Sequence, residues 1–230
     1  MALSSRVAAY LSDAELRAPA FAPGFDPFWC RGCGTCTEVC EFGAFELGDD
    51  SGFMRSRMIR ELCRGCGTCA AYCPTGALTA SHATNASLDA MFEYLGNGGL
   101  PAKDRILVFA CHWSNYAGPD FYGRGGFHMP QEVRVIRVTC AGRLEESMII
   151  KAFSSGARGV VVMGCGEDIC HYGFGNRRGM DRMERAKELL SLLGIEENRF
   201  LVTSVPAWEN RKFARMIEEF TETVRAGANG

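Results

Sequence analysis

The chain has 230 residues, 47% of them apolar, and a formal net charge of −2, enough to bury one or two cores and without the basic surplus that nucleic-acid partners attract. No uncharged apolar run reaches the length of a membrane-spanning helix. Twelve cysteines without an export signal argue against a disulfide framework and for metal ligation in the cytoplasm.

Residues 1–29 carry a short amphipathic stretch and then Pro19, Pro23, Gly24 and Pro27, which predicts an irregular arm, either a docking tail or a solvated terminus. Residues 30–80 hold two C-x2-C-x2-C-x3-C runs: Cys30, Cys33, Cys36 and Cys40, then Cys63, Cys66, Cys69 and Cys73. They form a repeat of period 33, in which Cys30 maps onto Cys63 and Cys40 onto Cys73. Three thiolates spaced by two residues let one tight loop reach three corners of a [4Fe-4S] cube. The glycines of Cys30-Arg-Gly-Cys33-Gly-Thr-Cys36 and its copy supply backbone angles that a side chain would forbid. Zinc sites usually take two separated knuckles instead.

In two-cluster ferredoxins the fourth cysteine of each run serves the other run's cluster. The expected sets are therefore Cys30, Cys33, Cys36 and Cys73 for one cube, and Cys63, Cys66, Cys69 and Cys40 for the other, in a ferredoxin-like α+β domain. Glu41 follows Cys40 where Pro74 follows Cys73, which puts a carboxylate beside the second cube. Unless Arg31 or Arg64 neutralises it, Glu41→Gln should raise that cube's potential.

Residues 81–103 read as a connector, with a short helix from Ser87 to Leu95 ended by Gly96, Gly98, Gly99 and Pro101. Such a linker should let the two halves bind metal independently. Beyond it, residues 104–230 alternate strands and helices. Strands are expected at Ile106–Ala110, Val133–Val138, Val160–Met163 and Leu201–Val205. Helices are expected at Leu144–Phe153, at Met183–Leu193 and around Phe213, Met216, Ile217, Phe220 and Val224. That order indicates an open parallel α/β sheet.

The remaining cysteines, Cys111, Cys140, Cys165 and Cys170, all follow strands, so they converge at the carboxyl edge, where open sheets bind ligands. The alternative is four small core residues. Two full cubes elsewhere suggest a [2Fe-2S] cluster here, although a cube or zinc would suit four thiols equally. His112 and His171 raise a Rieske-type alternative, but are more naturally donors to cluster sulfur or part of a contact surface. Gly123-Arg-Gly-Gly126 is a loop rather than a dinucleotide fingerprint, and Ser114 near His112 makes no nucleophilic triad. Arg143, opening a helix after the Cys140 loop, touches acidic surroundings or a partner, or is an ordinary surface arginine.

Three ordered segments carry a family resemblance: Phe109-Ala-Cys111-His-Trp113-Ser-Asn-Tyr116, then Arg137-Val-Thr-Cys140-Ala-Gly-Arg143, then Gly164-Cys165-Gly-Glu-Asp-Ile-Cys170-His171-Tyr172. Together they resemble the delta subunit of methyl-viologen-reducing hydrogenase over about residues 104–225, fused here to a two-cluster ferredoxin. The resemblance implies a [2Fe-2S] cluster on Cys111, Cys140, Cys165 and Cys170. It also implies a role bridging a hydrogenase, formate dehydrogenase or other oxidoreductase subunit to a flavin-containing, electron-bifurcating heterodisulfide reductase subunit. Two positions depart from the family pattern: Ser114 stands where a further cysteine is common, and Gly166-Glu-Asp-Ile169 replaces a His-Pro-Gly-Asp insert. The expected function is a non-catalytic electron-transfer subunit. The alternative is a stand-alone oxidoreductase with substrate chemistry at the third centre.

Overall fold

The computed structural model describes residues 21–97, 105–114, 116 and 126–227. The N-terminal half is built from β1 (Gly24–Phe25), α1 (Thr35–Val39), β2 (Phe45–Asp50), β3 (Phe53–Met58), α2 (Thr68–Tyr72) and β4 (Leu78–Thr79). Each short helix starts after a glycine in the left-handed region, Gly34 at φ 79° and Gly67 at φ 81°, as the repeat requires. Strand β1 pairs antiparallel with β4, and β2 with β3 as a hairpin.

The arm therefore differs from its expected irregular form, because Gly24–Phe25 is a strand of the small sheet and Ser81 Oγ donates to the Phe21 carbonyl at 2.6 Å. The amphipathic stretch and Pro19 lie outside the described residues, as do Gly98, Gly99, Pro101 and 123–125 of the glycine loop.

The C-terminal half comprises β5 (Ile106–Cys111), β6 (Val133–Val138), α4 (Glu146–Ser154), β7 (Gly159–Gly164), α5 (Gly175–Leu192), β8 (Phe200–Ser204) and α6 (Asn210–Ala226). All four strands are parallel, in the order β6-β5-β7-β8. Alternation along each strand divides the core. Leu107, Phe109, Val160 and Val162 face α4 and α5, while Ile106, Val108, Val161 and Met163 face α6. The expected strands and the parallel sheet are present.

Two elements depart from expectation. The helix of the connector, α3 (Asn85–Asn97), inserts Leu88 and Phe92 into the sheet's core, so it is a structural layer rather than a linker. Helix α5 starts at Gly175, well before Met183. Its polar, arginine-rich first turns hide the apolar period, and its glycines are needed for contact: a Cβ on Gly179 would lie 2.6 Å from the Ala141 carbonyl carbon.

Candidate metal centres

The eight cysteines of the repeat line two cavities of nearly equal size. Cys30, Cys33, Cys36 and Cys73 surround one of ≈ 340 Å³, and Cys40, Cys63, Cys66 and Cys69 one of ≈ 320 Å³. Each cavity thus takes three thiols from one run and the fourth from the other. Backbone without side chains makes this possible: a Cβ on Gly32 would meet the Met54 carbonyl oxygen at 2.3 Å, and one on Gly65 would meet Phe21 Cβ at 2.5 Å.

The donor set suits an iron–sulfur group. Burial pushes the Cys36, Cys63, Cys66 and Cys69 thiols above their usual value. Neighbouring thiolates about 6 Å apart repel by roughly 3 kcal/mol at an effective dielectric of about 20. Held together as thiolates in one cavity, four of them would therefore require positive charge among them, which iron would supply. Backbone N–H groups already point at sulfur, Ser56 N to Cys30 Sγ at 3.5 Å and Gly65 N to Cys63 Sγ at 3.4 Å. The buried Thr68 hydroxyl lines the second cavity, where it faces the Cys66 thiol and partly offsets the effect of burial on it.

Cys111 ends β5, Cys140 caps the 3₁₀ turn Ala141–Arg143 after β6, Cys165 follows β7, and Cys170 ends the turn Glu167–Ile169. The chain reverses direction across the sheet at β5, with β6 on one side and β7 on the other, which opens a crevice at the carboxyl edge. There the four thiols come together, Cys165 beside Cys111 and Cys170, and Cys140 beside Cys170. Cys140 and Cys165, beside Cys170, hold it well below its usual value, while Cys140 is pushed up by Cys170 and by burial, and Cys165 by Cys111, by Cys170 and by burial. Among the described residues, no three His, Cys, Asp or Glu groups gather around a single ion position.

Helix α5 begins over this set. Asn176 N donates to Cys170 Sγ at 3.4 Å, as Gly142 N does to Cys140 Sγ at 3.4 Å. Gly175 is required because a Cβ there would sit 2.3 Å from Cys140 Sγ. The positive end of the helix dipole faces Cys140 and Cys170, which favours thiolates.

His112 and His171 are both exposed and take part in surface aromatic packing. His171 stacks on Trp113 at 3.6 Å, and His112 meets Trp113 edge-on. Ser114 is buried and donates to the Val205 carbonyl at 3.0 Å, a structural use of its hydroxyl. Trp113 Nε1 donates to the Tyr172 hydroxyl at 3.0 Å, and burial pushes that phenol up to about 12.

The two halves are not independent. Cys66 of the second cavity packs in one buried cluster with Cys140, Tyr172 and Phe174, flanked by Cys170 and Phe42. Arg143 is 1% exposed, not a surface residue. Its stem lies on Gly67, and its guanidinium donates to Glu145 Oε1 at 2.9 Å and to Asn85 Oδ1. Arg178, Arg182 and Arg185, at i, i+4 and i+7 on α5, make a basic face. Arg182 donates to the Ala71 carbonyl and to Glu146, and lies over the Tyr72 ring at 4.6 Å. Arg178 pairs with Glu41 at 3.7 Å, so the counter-ion of that carboxylate is neither Arg31 nor Arg64. The spacing of these arginines was visible in sequence, but what they meet was not.

Residues 106–227 match the family described as methyl-viologen-reducing hydrogenase, delta subunit, and residues 29–78 match a 4Fe-4S dicluster domain. The chain is 38% identical over 54% of its length to the D-type iron-sulfur subunit of the vhc F420-non-reducing hydrogenase of Methanococcus voltae, covering 86% of that protein. It is 38% identical, over 54% of its length and 90% of the relative, to the corresponding F420-non-reducing hydrogenase iron-sulfur protein of Archaeoglobus profundus. Over 96% of its length it is 33% identical to the A-type subunit of the Ferredoxin:CoB-CoM heterodisulfide reductase of Methanosarcina mazei, of which it spans 27%.

Proposed function

Because the chain belongs to the methyl-viologen-reducing hydrogenase delta subunit family, we propose that it is an electron-relay subunit holding three iron–sulfur groups. Cys30, Cys33, Cys36 and Cys73 would hold one [4Fe-4S] cluster, Cys63, Cys66, Cys69 and Cys40 a second, and Cys111, Cys140, Cys165 and Cys170 a [2Fe-2S] cluster. When bound, these groups supply one-electron exchange.

The observation that carries the relay is the shared wall between the second and third sets, where Cys66, Cys140, Tyr172 and Phe174 are buried together. Arg143 and Arg182 hold that wall closed, and the aromatic side chains keep water out of it. The first and third sets instead border exposed apolar surface. At one end the exposed Phe28 and Trp29 precede Cys30 and the exposed Met54 lies over Gly32, and at the other Trp113, Tyr116 and Ile169 flank the Cys111 and Cys170 loops. We assign these as the two docking ends. A flavin-containing heterodisulfide reductase-like subunit of an electron-bifurcating assembly occupies one. A hydrogenase, formate dehydrogenase or other oxidoreductase subunit occupies the other. Twelve free thiols suit a reducing compartment, the cytoplasm.

Anaerobic iron and acid-labile sulfide analysis with Mössbauer spectra tests the assignment. The expected content is about ten iron and about ten sulfide per chain. A fully loaded chain with only about eight iron removes the third group, and substrate turnover by the isolated chain supports the stand-alone oxidoreductase instead.

A further inference from the structure

We propose that Ser56 is a tuning residue for the first thiol cavity: its hydroxyl donates to Cys36 and raises the reduction potential of the group held there. This rests on the iron–sulfur reading of that cavity. Ser56 is the one buried position of β3, where an apolar side chain would serve a core strand better. Its Oγ lies 3.0 Å from Cys36 Sγ, and its backbone N–H donates to Cys30 Sγ at 3.5 Å. A metal-bound thiolate carries no proton, so the hydroxyl must then be the donor. Adding an electron increases the negative charge on the ligand sulfurs, and a donor fixed against one of them stabilises the reduced form more than the oxidised one.

Among the described residues, Cys69, which matches Cys36 in the second run, has no hydroxyl donor, and the one hydroxyl of the second cavity, Thr68, faces Cys66 instead. Advancing Ser56 by the period of 33 leads to Asp89 on α3, which pairs with Lys151. Thr75, 3.6 Å from Cys73 Sγ, corresponds to the apolar Phe42. Only Thr35, 3.4 Å from Cys33 Sγ, keeps its mate, in Thr68. Among the described residues, three hydroxyl side chains line the first cavity and one lines the second.

The test is an EPR-monitored redox titration of the anaerobically loaded full chain and its Ser56→Ala and Ser56→Thr variants. Ser56→Ala leaves the backbone donor in place. It is expected to move one [4Fe-4S] midpoint to a more negative potential without moving the other, and Ser56→Thr restores it. Unchanged midpoints, or two that move together, overturn the proposal. Should Ser56→Ala not assemble, proton ENDOR on the wild-type chain decides. More strongly coupled exchangeable protons at one cube than at the other support it, and equal sets overturn it. A wild-type chain with no [4Fe-4S] signal overturns the cluster assignment itself, a distinguishable outcome.

Discussion

The two halves of the cysteine repeat share the run Cys-Arg-Gly-Cys-Gly-Thr-Cys and enclose cavities of ≈ 340 and ≈ 320 Å³, yet they are covered by different parts of the molecule. The first is roofed by its own hairpin, with Met54 over Gly32 and Ser56 against Cys36, and it reaches solvent at Cys33. The second is roofed by the C-terminal half, with Arg143 on Gly67 and Cys66 walled in beside Cys140. A duplicated cysteine loop thus lies at the periphery in one copy and in the interior in the other because of what packs on it.

The largest test of that contrast is Cys140→Ala. Loss of about two irons per chain is expected, together with a perturbed EPR signal from the Cys63-run centre and an unaltered one from the Cys30-run centre. Two unaltered signals would restore the picture of independent halves. Arg182→Ala comes next. Removing a largely buried guanidinium that bridges Glu146 and Ala71 should lower stability by about 1–3 kcal/mol in chemical denaturation and slow electron exchange between the second and third centres.

Glu146 gives the same contact a pH signature. Burial works to raise its pKa, but the hydrogen bonds from Arg182 and Arg185 outweigh it and leave the carboxyl below its usual 4.5. A depressed carboxylate contributes stability in full above about pH 4.5 and loses it as pH falls through the folded value. The Tm advantage of wild type over Glu146→Gln should therefore shrink on acidification below that point and stay flat above it.

Smaller again is the difference between two matched glycines. Gly34→Ala should cost about 1–2 kcal/mol of backbone strain. Gly67→Ala, at nearly the same φ, places its Cβ 2.8 Å from Arg143 Cδ and should cost about 1–3 kcal/mol more by thermal denaturation. Smallest is Glu41→Gln. With Arg178 already paired to the carboxylate, little change in the second centre's potential is expected by potentiometric EPR. A clear positive shift would mean that the ion pair does not screen Glu41.

Elements with strong local period were legible in sequence. Ile106, Val133, Val160 and Leu201 each open or lie in a strand, and their carboxyl ends locate the four dispersed cysteines at one edge. The eight repeat thiols line two cavities in the crossed sets expected from two-cluster ferredoxins, a grouping that the repeat by itself does not specify. What stayed hidden is contact between halves. Leu88 and Phe92 look like a linker's apolar residues until the sheet is present to receive them. Arg143 could be read as an ordinary surface arginine because Gly67, on which its stem lies, is far away in the chain, and nothing local pointed to the pairing of Arg178 with Glu41. Gly175 and Gly179 lie in the part of α5 that the apolar period missed, and close approach to Cys140 and Ala141 is what requires them.

The central claim is that the second centre, not the first, adjoins the third. Pulsed EPR of the fully loaded chain, poised to reduce the third centre and one cube at a time, measures it directly. The cube whose midpoint does not respond to Ser56→Ala should show the stronger magnetic coupling to the third centre. Stronger coupling to the Ser56-sensitive cube would contradict the account.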